Sequence, residues 1–421
     1  MVNPDKVFTL EGRALKLDTA EDLDAHIAAL KAMDDVEEVR ILGNTLGIGA
    51  CKRLGEVLST KNNLQVANLA DIFTGRLLNE IPEALTHLLT QITNLPNLTT
   101  VNLNDNAFGI NTYKPVADFL SSHVPLQHLY LNNNGLGPEA GMYIADALSE
   151  LYDKKEQARK EGRTDVPDLE TVICGRNRLE NGSMKAWAKA FSKHDKLKEV
   201  KMVQNGIRQE GITHLLTEGL SNTLAIQVLD LQDNTFTITG ATALAKIAPT
   251  WTDLRELGVS DSYLGAKGGR LLSRALAKGK NEKLETLRMQ YNDMNARTLK
   301  SFADTVKDGL PALKKIEING NKLSEDDVSI AALQKLLEAR KEKAGGDVLI
   351  EEEWGVDSLS DLEDDSDEEE EEESEEEAET EEEIKKTLDK DEKEAKEPAT
   401  IKDVASKEVD EITQKLRQTG I

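Results

Sequence analysis

The chain has 421 residues, 38% hydrophobic but only 4% aromatic, with a formal charge of −26. That supplies a sizeable, mainly aliphatic core and more length than one ordinary compact domain needs. The charge is local: residues 351–383 hold 22 Asp and Glu and no Lys or Arg, whereas 384–421 hold nine of each sign, so residues 1–350 are nearly neutral. An acidic chain of this kind is repelled by phosphate backbones, which argues against direct nucleic-acid binding and points to basic protein surfaces as partners. Two widely separated cysteines, Cys51 and Cys174, make no disulfide framework. The first residues lack an apolar signal core and no run of about 18 apolar residues follows, so a soluble intracellular protein is expected.

In chain order, residues 1–35 read as an N-terminal cap. A repeat of the form L-x-x-L-x-L-x-x-N then begins with VEEVRILGN, ending at Asn44. It continues as LTTVNLNDN (98–106), LQHLYLNNN (126–134), LETVICGRN (169–177), LKEVKMVQN (197–205), IQVLDLQDN (226–234), LETLRMQYN (284–292) and LKKIEINGN (313–321). Two copies are degenerate, with Ile72 and Ser262 in the Asn slot. The ten slots fall at 44, 72, 106, 134, 177, 205, 234, 262, 292 and 321, mostly 28 to 30 residues apart, with steps of 34 and 43. Repeats of this length leave room for a helix after each strand. After Asn134, Pro138 suits a first helical turn, and Ala140, Ile144, Leu148 and Leu151 share a helical face. The 43-residue step contains DKKEQARKEGRTD, expected as a helix extension or a surface loop.

One such unit cannot bury its own apolar stripe, so neighbours must stack. The expected fold is α/β: a leucine-rich-repeat horseshoe of the ribonuclease-inhibitor kind, parallel sheet inside and helices outside, over residues 36–345. Residues about 324–345 close it. Residues 346–383 are expected as a disordered acidic tail and 384–421 as a charged, weakly helical segment.

The template leucines are core, and its asparagines satisfy backbone at the turns between units. Cys174 stands in a leucine position and is a small core residue. No phosphate-binding loop, zinc-protease, nucleophile-elbow or C-x-x-C motif occurs, and the six histidines form no ligand cluster, so no cofactor, metal or enzymatic centre is expected. Function is expected on the free surface. Strand positions Arg40, Asn68, Asn102, Tyr130, Lys201, Asp230, Arg288 and Glu317 face the concavity, and Asp105, Asn133, Arg176, Gln204 and Asp233, just before the Asn slots, face the rim. Asn44, Asp71 and Asn132, at or beside those slots, are grouped with the rim as partner contacts.

The second repeat breaks the pattern. Its turn runs Asp71-Ile72-Phe73-Thr74-Gly75-Arg76. Gly75 permits an unusual backbone angle before an arginine. Two readings of Arg76 stand open: a rim arginine aimed at a partner's phosphate oxygens, or an ion pair with Asp71 or Asp105.

DIFTGR (71–76), LNDNAFG (103–109), LYLNNNGLGPEAG (129–141), ICGRNRLENGSMKAWAK (173–189), KMVQNGIR (201–208) and LDLQDNTFT (229–237) resemble the fungal Ran GTPase-activating proteins. The resemblance runs from about residue 8 to 340, followed by that family's acidic tail. It implies a monomeric, cytoplasmic or perinuclear activator that binds GTP-loaded Ran, in company with a Ran-binding protein, and accelerates hydrolysis by Ran. By motif position it assigns the residue beside Ran's catalytic Gln to Asn133 and the family's essential arginine, in a supporting role, to Arg76. Three other readings stand beside it. A non-catalytic inhibitor of the ribonuclease-inhibitor kind would be cysteine-rich, and an acidic histone-binding scaffold would have shorter repeats. An actin regulator would need a further segment.

Overall fold

The computed structural model describes residues 3–345 and 354–362. Twelve parallel strands form one sheet in strictly sequential order, from Val7–Thr9 through Glu38–Arg40 and on to Lys315–Glu317 and Gly355–Val356. Each central strand is three residues long, and its middle residue (Val39, Ala67, Val101, Leu129, Val172, Val200, Leu229, Leu257, Leu287, Ile316) is fully buried. The flanking residues face the open side of the sheet, as the two-residue period of a strand requires. A helix follows every slot, from Ile48–Leu58 to Val328–Lys343, on the other side. Parallel strands sit about 4.8 Å apart, whereas packed helices need 8–10 Å. A stack with both must curve with its sheet inside, which is the leucine-rich-repeat horseshoe.

Two inter-repeat ladders hold the stack together. At the strand ends, each slot asparagine lends its Oδ1 to the repeat before it and its Nδ2 to a carbonyl of that repeat and, except at Asn205, to one of its own. Asn106 accepts the Ile72 N–H at 2.9 Å and donates to the carbonyls of Leu69 and Leu103, each at 3.0 Å. Asn134 accepts from Asn106 at 2.9 Å, Asn177 from Asn134 at 3.0 Å and Asn205 from Asn177 at 2.9 Å. Ile72 and Ser262 still donate their own N–H to the next asparagine, so a degenerate slot costs one rung rather than the ladder.

At the helix-to-strand turns a second set of buried side chains reaches back to the preceding repeat. Lys61 Nζ donates to the carbonyl of Met33, Trp251 Nε1 to Leu220, and Asn281 Nδ2 to Ala248 and Trp251. Both ring nitrogens of His123 lie 2.6–2.7 Å from the carbonyls of Leu98 and Thr93, and His194 Nε2 donates to Leu148 at 2.8 Å. The long fifth repeat uses the same device. Its preceding helix, Gly137–Lys160, runs on through the insert, so the helix extension is the form the insert takes. Within it the buried Lys155 donates to the carbonyls of Val124, Leu126 and Pro167 at 2.6–2.7 Å.

Both ends differ from the middle. Residues 7–9 add a strand before the first repeat, with short helices Ala20–Asp24 and Ala28–Ala32 above it. At the other end the sheet does not stop with the tenth repeat. Residues 354–362, within the stretch expected as a disordered tail from 346, add the strand Gly355–Val356 against Lys315–Ile316. This departs from the composition-based expectation because Val356, Leu359 and Leu362 interrupt the carboxylates and pack on the core. Expectations for 346–353, 363–383 and 384–421 lie outside the described residues. Cys51 and Cys174 are buried, and burial pushes both thiols up to about 12, which leaves them unreactive near neutrality.

Asn106→Ala removes three donated bonds and orphans the Ile72 N–H in a buried site, so stability should fall by about 3 kcal/mol in urea unfolding. Burial pulls His194 down to about 4. The unfolded chain therefore takes up a proton near pH 6.5 that the folded chain refuses until about pH 4. Stability from this residue is complete above about 6.5 and declines as the pH falls, by about 2 kcal/mol between pH 7 and pH 5. Across that interval, denaturant titrations should show His194→Gln losing less stability than the parent chain.

Candidate partner-binding rim

Immediately before each slot the backbone turns left-handed. Gly43, Asp71, Asp105, Asn133, Arg176, Gln204, Asp233, Asp261, Tyr291 and Gly320 all have φ between 47° and 72°. Seven of these ten are Gly, Asn or Asp, the residues that tolerate this region. Each of the ten except Gly320 also donates its N–H to a carbonyl of the next repeat, for example Asp105 to Asn132 and Asn133 to Gly175, both at 2.9 Å. The backbone is thus fixed on both sides and the side chain is turned away from the core. One residue per repeat is displayed along a single line.

Asp71, Asp105, Asn133, Arg176, Gln204 and Asp233, expected as site residues, all lie on this line. Arg176, Gln204 and Tyr291 hold the left-handed conformation without the tolerance of Asn, Asp or Gly, a cost of roughly 1–2 kcal/mol each. Strain of this sort gathers at functional positions. Asp261 and Tyr291 extend the line and were not singled out from the sequence. The signal was available in their place before the slot, but Ser262 hides the eighth repeat.

Asn133 is the best-defined group on the rim. It is exposed, and its Nδ2 donates to Asp105 Oδ1 at 2.9 Å. That bond fixes which end of the amide is which and leaves Asn133 Oδ1 as the outward acceptor. Asn132 stands one step toward the concave face. Its Oδ1 accepts the Gly175 N–H at 2.5 Å, and its own N–H donates to Asn104 Oδ1 at 2.7 Å. Its carbonyl end is therefore committed to joining the fourth repeat to the fifth.

Asp71 accepts a hydrogen bond from the Thr74 hydroxyl, which ties it to its own turn. Between repeats five and eight a cleft of about 390 Å³ opens on the rim, lined among others by Arg178, Gln204, Asp233, Asp261 and Tyr263. Partial burial, and then the neighbouring Asp261, raise the Asp233 carboxyl above its ordinary value.

Two expected site residues are placed elsewhere. Asn44 is the first rung of the ladder, 3% exposed, with Nδ2 on the carbonyls of Leu10 and Ile41 and Oδ1 on the Leu15 N–H. This corrects the expectation that it contacts a partner: both ends of its amide are used inside the fold. Arg76 does not project from the rim either. Its side chain is 9% exposed and pairs with Asp18, which neither reading of the sequence proposed. Its Nε donates to Thr45 Oγ1 at 2.9 Å, and Nη2 donates to the carbonyls of Thr45 at 2.8 Å and Leu17 at 3.3 Å. The guanidinium fork is filled by the N-terminal cap and the first repeat. The pairing with Arg76 in turn holds the Asp18 carboxyl below its ordinary value.

The concave face differs from the rim in charge. Most of its charged side chains pair with one another, Arg40 with Glu38 at 2.6 Å, Lys201 with Glu199 at 2.8 Å, Arg288 with Glu256 at 3.1 Å and Lys315 with Glu317 at 2.8 Å, while Asp230 accepts from Gln232 Nε2 at 2.8 Å. Among the described residues no group of three His, Cys, Asp or Glu could hold a metal ion.

Comparison with known proteins gives the scaffold a family. A family model described as a leucine-rich repeat matches residues 123–145. Ran GTPase-activating protein 1 of Saccharomyces cerevisiae is 39% identical over 338 residues, covering 78% of this chain and 82% of the yeast protein. Ran GTPase-activating protein 1 of Xenopus laevis is 39% identical over 206 residues, 48% of this chain and 35% of the frog protein. Ran GTPase-activating protein 2 of Caenorhabditis elegans is 40% identical over 203 residues, 48% of this chain and 20% of the worm protein. The matched part is a minor share of both animal proteins, whereas it spans most of the yeast one. On that likeness, the chain belongs to the family of Ran GTPase-activating proteins.

Proposed function

We propose that the chain accelerates GTP hydrolysis by GTP-bound Ran, with its rim against the GTPase and Asn133 beside the partner's catalytic glutamine. The observation that supports this most is the anchored amide of Asn133. With Nδ2 held by Asp105, its Oδ1 can accept an N–H from the partner's glutamine amide. The glutamine carbonyl is then left to orient the attacking water. A neutral amide does this without adding charge near the phosphates.

Activators of small GTPases raise rates by roughly 10⁵-fold, about 7 kcal/mol of barrier. One hydrogen bond is worth only about 1 kcal/mol. Most of the gain therefore comes from freezing the glutamine and water in a reactive arrangement, which removes their entropy before the chemical step. Asn133 supplies the direction and the rest of the rim supplies the rigidity. Arg76 enters as a positioning residue: it fastens the second repeat's turn to the cap, and it does not reach the nucleotide.

Single-turnover GTP hydrolysis by Ran at saturating activator tests both assignments. Asn133→Ala should slow hydrolysis at least about tenfold with the affinity for GTP-loaded Ran unchanged, and Asp105→Ala should show a smaller loss of the same kind. An unchanged rate in Asn133→Ala would remove it from the mechanism. Arg76→Ala should cost about 2 kcal/mol of stability, and Asp18→Ala, which leaves the bonds to Thr45 and Leu17 in place, should show a smaller loss of both stability and rate. If Asp18→Ala is silent while a folded Arg76→Ala is inactive, Arg76 acts on the partner directly.

A further inference from the structure

The last strand of the sheet is covered by a short strap from the same chain. Gly355 N–H donates to the Lys314 carbonyl at 2.9 Å, and two strap residues keep register with Lys315 and Ile316. After one more backbone bond, from the Asp357 N–H to the Ile316 carbonyl at 3.3 Å, side chains make the attachment. Asp357 accepts the N–H groups of Ile318 at 2.8 Å and Asn319 at 3.3 Å, and the Gln290 Nε2 at 2.7 Å. Asp361 accepts the Tyr291 hydroxyl at 2.8 Å and Asn319 Nδ2 at 3.2 Å, while its own N–H donates to Asn319 Oδ1 at 3.0 Å. Lys314 Nζ lies 5.7 Å from the centre of the Trp354 ring. Leu359 and Leu362 rest against the core.

This attachment differs in kind from the repeats it extends. Ile316 and Leu287 are fully buried, yet no residue from 354 to 362 is. Only two residues pair in the sheet, and the carboxylate bonds are made at a solvent-accessible edge, where each is weak. A strand edge with free N–H groups accepts any extended segment whose side chains fit. The strap defines that fit as aromatic, Gly, Val and Asp, followed by Leu, Asp and Leu at the fifth, seventh and eighth positions after the aromatic.

We propose that the C-terminal end of the sheet is a docking site for extended acidic peptides of this pattern, and that residues 354–362 are its resident occupant, competing in cis against a peptide in trans. The tether gives the strap an effective concentration in the millimolar range, enough for a weak attachment to exclude a free peptide. Weakening the strap alone should therefore open the site. The proposal does not depend on the GTPase reading.

The test uses the full chain and a fluorescein-labelled synthetic peptide of residues 352–364, followed by anisotropy. The peptide should bind the Asp357→Ala/Asp361→Ala chain at least tenfold more tightly than the parent chain. A peptide with the same two substitutions should lose that binding. Amide exchange at Ile318 and Asn319 should be fast in the variant and slow again with the peptide, while the strand Glu256–Gly258 stays protected and reports an intact fold. Equal affinity for both chains would overturn the proposal. So would the absence of binding to a variant whose Ile318 and Asn319 amides exchange fast, or protection of those amides that the substitutions leave unchanged. If the double variant loses protection at Glu256–Gly258, Asp361→Asn alone takes its place with the same outcomes.

Discussion

The buried asparagine at the end of each strand is the interaction on which the rest depends. Short strands feeding helices through tight turns leave backbone donors and acceptors inside, where each unpaired group is costly. A single amide meets both needs, accepting from the repeat before and donating to carbonyls on either side. It also dictates the turn: the residue before it must be left-handed, and its side chain must leave the core. Structure and function are thereby divided between adjacent positions. Asn134 holds the fourth repeat in place, and Asn133 is free to meet a partner because Asn134 does so.

That division explains why one neutral side chain can matter on a surface with so many charges. The concave face carries more charge, but it is satisfied internally, cation against carboxylate along and across the strands. Rim groups are instead oriented without being used up. The Asp105–Asn133 bond spends the donor end of an amide and leaves the acceptor end in a known direction. The role proposed for Asn133 beside a partner's glutamine draws on directed capacity of this type.

Much of the scaffold was legible in the sequence because the repeat states its own register. Leu129 and Leu131 are core, Asn134 is a rung, and Asn133 must therefore be on the rim; each follows from the others. The same register, applied strictly, would have excluded Asn44 from the surface and added Asp261 and Tyr291. Arg76 was not legible in this way. Its partner Asp18 lies 58 residues away in a cap with no repeat pattern, so no spacing rule connects them. The strap was missed for a different reason. Average composition over 346–383 is overwhelmingly acidic, and four apolar side chains spread over nine residues (Trp354, Val356, Leu359 and Leu362) disappear into the average.

The Arg76 clamp also bears on how the molecule comes apart. In a solenoid each unit touches only its neighbours, so unfolding can begin at an end and travel inward one unit at a time. Arg76 reaches past the first repeat to the cap while also holding Thr45 within the first repeat. Cap, first repeat and second repeat are therefore coupled beyond nearest neighbours, and the N-terminus cannot fray without loosening three units together. The end of the molecule nearest the Asn133 rim melts as a block, which keeps that rim out of the easily opened part of the stability landscape.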